Sequence, residues 1–142
     1  MNIRFLFIFT LFLSTFFACK KDKDRSTPNI LTAKVWKKGI VDKNPSTNPP
    51  GKILYQAVPD CEKDDSYRFK SNGKLVINRK ANQCEPNEQP TETQTYTCDI
   101  TVKVLTINGV QFSLAEASKE QIKYYAPLPG GSGSSYIVYL LQ

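Results

Sequence analysis

Between Ser66 and Asn78 the side chains spell out a β-hairpin. Ser66-Tyr67-Arg68-Phe69-Lys70 alternates apolar with polar, Ser71-Asn72-Gly73 interrupts, and Lys74-Leu75-Val76-Ile77-Asn78 returns. Alternation of this kind puts the apolar residues on one face of a strand, and glycine supplies the left-handed backbone that a tight turn needs. A three-residue loop with Gly73 left-handed sets Phe69 opposite Leu75 and Tyr67 opposite Ile77. A two-residue Asn72-Gly73 turn would oppose Tyr67 with Asn78 and mix the faces, so the first register is preferred. A chain that carries this unit must bury its apolar face against more sheet.

The remaining sequence supplies that sheet. Leu31 to Lys37, which holds the only tryptophan, leads into Gly39-Ile40-Val41 as a first strand. Asp42 to Gly51, with prolines at 45, 49 and 50, can be neither helix nor sheet. Lys52 to Val58 reads as a second strand or one helical turn, and Ala81 to Pro90 as a polar loop. Thr91 to Asp99 and Ile100 to Ile107 read as strands, and Asn108-Gly109 turns into Val110 to Leu114. Leu114 to Glu120 offers a turn or two of helix. Ser118 to Tyr125 places Ile122 and Tyr124 on one face and Lys123 and Tyr125 on the other. After a Pro/Gly/Ser loop, Tyr136 to Leu141 is apolar on both faces. The expectation is an all-β domain: an antiparallel up-and-down meander of about eight strands with little helix, closing on itself or stacking two sheets.

The front of the chain is different in kind. Arg4 precedes a nearly unbroken apolar run from Phe5 to Phe17, followed by Ala18-Cys19 and the charged Lys20-Lys21-Asp22-Lys23-Asp24-Arg25. The run is short for a bilayer span, and a charged start with a small residue before a cleavage point marks an export signal. With Cys19 at that point, the stretch resembles the signal of bacterial lipoproteins, whose cysteine is alkylated with diacylglycerol, freed by cleavage and acylated. A plain secretory signal cut near Ala18 and an uncleaved anchor are the other readings. The resemblance implies a signal peptide over residues 1–18, lipidation of Cys19, a tether over 19–28 and a single domain over 29–142. Two or three acyl chains make a stable membrane anchor where one is marginal. Lys20, in place of the aspartate that commonly retains Gram-negative lipoproteins at the inner membrane, implies an outer-membrane destination, facing the periplasm or the surface.

Within the domain, the order of Leu31 and Trp36, Cys61 before Asp64-Asp65, Phe69 with Asn72-Gly73, Cys84, Leu105-Thr106-Ile107 and an apolar last strand resembles small lipocalin-like lipoproteins of Gram-negative bacteria. The likeness spans most of Ile30 to Gln142 and implies a lipocalin-like barrel. Where such families carry a glycine shortly before the first tryptophan, this chain has Ala33-Lys34-Val35.

With Cys19 assigned to lipid, Cys61, Cys84 and Cys98 remain in an oxidising compartment. Cys61 and Cys84 flank the hairpin turn at eleven or twelve residues on each side, so the turn brings their backbones together. Closing such a loop is worth about 3 kcal/mol. Cys98 is expected as a buried free thiol.

Catalytic chemistry is scarce. The chain has no histidine, which removes the commonest general base and zinc ligand together. Asp60, Glu62, Asp64 and Asp65 could approach calcium but lack the glycine and terminal glutamate spacing of an EF-hand, and read as a solvated loop. Gly130 to Ser135 has no following lysine and reads as a hairpin tip, not a phosphate loop. No enzyme, cofactor or metal is expected. The net charge is +6 for the chain but only +3 from Ser26 onward, 14 Lys and Arg against 11 Asp and Glu, which favours no nucleic-acid partner. Tyr67, Phe69, Tyr124 and Tyr136 are the candidate lining of an apolar cup, with Arg79 at its rim to meet a carboxylate, while Arg68 alternates away. The expected partners are the membrane, through the lipid, and a small hydrophobic ligand. The alternative is a filled barrel whose loops meet another envelope protein.

Overall fold

The computed structural model describes residues 29–130 and 133–142. The expected signal peptide, the lipidated Cys19 and the tether lie outside the described residues. Eight strands form one sheet: β1 (Ile53–Tyr55), β2 (Ser66–Phe69), β3 (Lys74–Asn78), β4 (Thr91–Asp99), β5 (Val104–Ile107), β6 (Val110–Ala117), β7 (Ile122–Pro127) and β8 (Tyr136–Leu141). From β2 to β8 each strand pairs antiparallel with the next, and β1 adds parallel to β8, giving the order β1-β8-β7-β6-β5-β4-β3-β2. Pairing among these strands does not close the sheet.

The β2–β3 hairpin has the expected register, Phe69 opposite Leu75 and Tyr67 opposite Ile77. Gly73 turns it with φ +75°. The β5–β6 turn takes left-handed backbone at both Asn108 (φ 48°) and Gly109 (φ 83°), as a two-residue hairpin turn requires. Three expectations are corrected. Residues 31–37 are not a strand: Asn29–Thr32 form a short helix, α1, and the chain becomes extended only around Trp36. Leu31 is fully buried and its carbonyl accepts the Trp36 indole N–H at 2.8 Å, so burying the indole with a bonded N–H outweighs continuing a strand. Nor do Leu114 to Glu120 turn helical. β6 runs on to Ala117, with a register shift between Leu114 and Glu116 that returns Ala117 to pair with Ile122. β5 begins at Val104 rather than Ile100, because the Asp99 carboxylate caps the 100–103 turn by accepting from the Thr101 and Val102 N–H groups.

The extended segment around Trp36 bonds on both sides. Trp36 and Tyr67 exchange backbone hydrogen bonds at 2.8 Å, joining the segment to β2. Lys37 and Gln142 do the same at 2.9 and 2.8 Å, and the Gly39 N–H donates to the Leu140 carbonyl, joining it to β8. The free edge of β8 is therefore shared, β1 taking its first half and residues 37–39 its second.

The core holds Leu31, Trp36, Phe69, Tyr96, Leu105, Leu114, Ile122 and Leu141, all buried. Val138 and Leu140 alternate to the other face of β8 and are buried too, which accounts for a strand that is apolar on both sides. On that same face of β7, Lys123 is fully buried. Its ammonium donates to Asp42 Oδ2 (2.8 Å), the Asn44 carbonyl (2.6 Å), Thr47 Oγ1 (3.0 Å) and Asn48 Oδ1 (2.8 Å). Buried Gln121 donates to Asp42 Oδ1 and Glu116 Oε2, so the proline loop is clasped to the sheet by a satisfied polar network.

Candidate functional site

The strands bring a second set of side chains together on the core face, at the end of the sheet where the 79–90 loop leaves β3. Ile77 pairs with Glu92, so Tyr67, Ile77 and Glu92 share that face across three neighbouring strands. Arg79 follows one alternation after Ile77, and its guanidinium forms salt bridges with Glu88 and with Glu92 (2.6 Å). From the opposite side Lys38, opposite Leu141, holds Glu62 at 2.5 Å and sits 6.0 Å from the Tyr67 ring.

The disulfide fixes the two loops that carry these acids. Cys61 is bonded to Cys84 with Cα atoms 5.2 Å apart, tying the 60–62 turn to the 79–90 loop. Asp60 pairs outward with Lys63, whereas Asp65 is 3% exposed. One carboxylate oxygen each of Asp64 and Asp65 is buried with no hydrogen-bond partner. Burial raises the Asp65 carboxyl above its ordinary range; Arg79 opposes the rise, and Glu62 and Asp64 reinforce it. The Tyr67 phenol is pushed well up, first by burial and then by the nearby Glu62 and Asp65 carboxylates. The Tyr67 phenol thus feels the charges of both Glu62 and Asp65.

Facing them, β6, β7 and β8 supply an aromatic wall. Tyr124 and Tyr139 are directly paired and their rings stack at 5.1 Å, 7° from parallel. The Phe112 ring stands edge-on to both, at 5.2 Å and 5.6 Å. All three rings remain partly exposed. Burial pushes the Tyr124 phenol well up. Beside the rings, Lys38, Tyr124, Tyr139 and Leu141 bound a recess of about 20 Å³, room for about one water. Two wider concavities open on the outside of the sheet, about 420 Å³ around Thr97, Thr106 and Gln111 and about 480 Å³ around Arg68 and Asn72.

No known family, curated protein or solved structure matches this chain. The arrangement of the side chains therefore carries the functional reading by itself.

Of the residues singled out from the sequence, Tyr67 and Tyr124 sit on the core face at this end, and Arg79 stands beside them already engaged by two glutamates. Phe69 lies deeper, 2% exposed and edge-on to Tyr96 at 4.8 Å, where it fills the core and does not join the aromatic wall. Tyr136 does not join them. It pairs with Pro127, alternates to the opposite face of β8, and packs edge-on against Tyr125. Arg68 is exposed. Phe112, Tyr139, Lys38 and Glu92 were not foreseen, and Asp65, expected in a solvated loop, is buried instead. The pairing of β7 with β8 would have found Tyr139, because a register that opposes Ile122 to Leu141 opposes Tyr124 to Tyr139 as well. Among the described residues no three His, Cys, Asp or Glu side chains are placed to hold a metal ion.

Proposed function

We propose that this chain is a lipid-anchored protein of the bacterial cell envelope, held at the outer membrane by acyl chains on Cys19, whose lipocalin-like domain binds a small hydrophobic molecule. The observation that carries the reading is the wall of three mutually packed, partly exposed rings, Phe112, Tyr124 and Tyr139, on the core face opposite Tyr67. Aromatic surface left open on a core face is the ordinary lining of a ligand site. The barrel belongs to the same proposal. Residues 36–39, hydrogen-bonded to β2 on one side and β8 on the other, support a ring in which this short segment stands between the two edges. The aromatic wall then becomes the inside of a cup that opens beside the Cys61–Cys84 disulfide.

A second reading rests on the recess of about 20 Å³ beside those rings. A barrel filled by its own side chains would serve as an interaction module, offering the proline loop or the loop before β8 to another envelope protein. Native mass spectrometry of residues 26–142, secreted through an oxidising compartment and followed by organic extraction, separates the two. A stoichiometric apolar adduct is the expected result. A bare mass, unchanged by added apolar ligands, would favour the filled barrel.

A further inference from the structure

The positive charge of the chain is gathered in its first part. Residues 19–59 carry nine Lys and Arg against three Asp, a net of +6, whereas residues 60–142 carry nine against ten acids, a net of −1. The fold sharpens that imbalance. Asp42, the only acid between residues 29 and 59, is turned inward to the buried Lys123 ammonium, and Lys38 is held by Glu62. Lys37, Lys43 and Lys52 are exposed and form no salt bridge among the described residues. Large aliphatic side chains are exposed in the same two stretches: Ile40 at 73%, Val41 at 65% and Leu54 at 51%. The edge of β8 brings the stretches together. β1 lies along its first half, with Lys52 bonded to Ser135 and Leu54 beside Ile137, and residues 37–39 lie along its second half as far as Gln142. From Ser135 to Gln142 is about 23 Å of extended strand. The 40–43 turn is drawn toward β1 by the Tyr55 hydroxyl, which donates to Asp42 Oδ2.

We infer that this edge, with Lys37, Ile40, Val41, Lys43, Lys52 and Leu54 exposed along it, rests on an anionic phospholipid surface. The inference rests on the lipid anchor proposed above and adds a second, non-covalent membrane contact made by the domain itself. Two observations select a bilayer as the occupant. The first is the mixture of side chains. Aliphatic tips enter the boundary between head groups and acyl chains, while lysine stems lie along them and lift their ammonium groups to the phosphates. Protein interfaces deplete lysine, so the same mixture suits a protein partner poorly. The second is position. Residue 29 follows Cys19 by ten residues, a reach of at most about 35 Å, and the chain arrives at the sheet edge at Lys37, eight residues on. The first exposed lysine and aliphatic side chains on the sheet are thus the ones a lipid on Cys19 delivers to the membrane. Lys20, Lys21, Lys23 and Arg25, against Asp22 and Asp24, extend the same basic charge back to the anchor.

The test uses the mature protein from a bacterial host, mixed into vesicles of phosphatidylcholine alone or of an equal mixture with phosphatidylglycerol, each containing a dansyl-headgroup lipid. Trp36, the only tryptophan, adjoins Lys37 and is the energy donor. Transfer from Trp36 should be stronger in the anionic vesicles and return to the neutral level in high salt. Each lysine near such a surface is worth roughly fivefold in the docked population, so Lys37→Gln, Lys43→Gln and Lys52→Gln combined should lower it about a hundredfold and remove the difference. Ile40→Ser with Val41→Ser should reduce it at unchanged charge. All five side chains are exposed, so both variants should keep the wild-type urea midpoint, which separates lost docking from lost folding. Lys70→Gln, Lys74→Gln and Lys103→Gln, equal in charge and exposed elsewhere on the sheet, should leave transfer as it was. Equal transfer in the two kinds of vesicle, or the same loss from this second triple variant, would overturn the docking edge. Flotation of the vesicles reads the anchor separately. Protein that floats only with the anionic vesicles would keep the edge and overturn the acyl anchor; protein that floats with neither would overturn both.

Discussion

The residue that most needs explaining is Lys123, fully buried on a strand yet holding four oxygen acceptors from the proline loop. A buried ammonium survives only where partners replace its water, and Asp42, whose side chain is 5% exposed, supplies the opposing charge. Burial alone would raise the Asp42 carboxyl, but hydrogen bonds from Lys123, Tyr55, Gln121 and the Asn44 N–H outweigh it and hold the group far below the ordinary carboxylate range. Lys123→Met strands that carboxylate and should cost about 3 kcal/mol in urea unfolding, with part of the loss recovered in the Lys123→Met, Asp42→Asn double variant. A depressed folded pKa contributes stability that is complete above the unfolded value, about pH 4, and is lost as the pH falls further. The stability gap between the wild-type chain and Asp42→Asn should accordingly be largest near neutrality and shrink below about pH 4. Cys98, buried and free, has its thiol pushed up to about 11 by burial and by Asp99. It should resist alkylation in the folded protein and react at once after denaturation. Rapid labelling at neutral pH without denaturant would contradict its buried position.

At the scale of the element, the hairpin and the disulfide carry the firmest expectations. Gly73 is left-handed, and a Cβ there would stand 3.3 Å from the Tyr96 carbonyl. Gly73→Ala should cost about 1–2 kcal/mol, read as a shifted urea midpoint with unchanged slope. Replacing Cys61 and Cys84 by serine should cost about 3 kcal/mol and loosen the loops that carry Glu62 and Glu88. Both features were legible beforehand because they are local. A turn glycine, an alternating pair of runs and two equidistant cysteines need no knowledge of the remaining fold. Residues 29–37 were misread for the opposite reason: their apolar residues also suit a strand, and only the distant pocket that swallows Leu31 and the Trp36 indole selects the helix. The strand expected from Leu31 and the helical turn expected after Leu114 fail alike, since in each a tertiary contact outweighs local propensity. Of the candidate site, Tyr67 and Tyr124 could be read from alternation. Tyr136 was misassigned because a strand buried on both faces gives alternation nothing to report. Lys38 and Glu92 were hidden among ordinary surface charges, and only the pairing of β3 with β4 and the bridge at Leu141 turns them toward Tyr67.

For the whole molecule, the proposed cup depends on one short stretch of chain. Eight strands in the order β1-β8-β7-β6-β5-β4-β3-β2 leave an open sheet, and, among the described residues, 36–39 stand between β2 and β8. If that stretch is a permanent part of the ring, the core face is enclosed and Phe112, Tyr124 and Tyr139 line a cup. If it frays, the same rings lie on an open sheet and the case for a ligand is lost. Native-state amide hydrogen exchange reads this directly, because a closed seam and a free edge differ in protection even when the flanking strands are equally stable. The account predicts that the amides of Trp36, Lys37, Gly39, Tyr67 and Gln142 are protected nearly as well as those at the centres of β3 to β7. Exchange of those five at the rate of a frayed edge, while β3 to β7 stay protected, would contradict it.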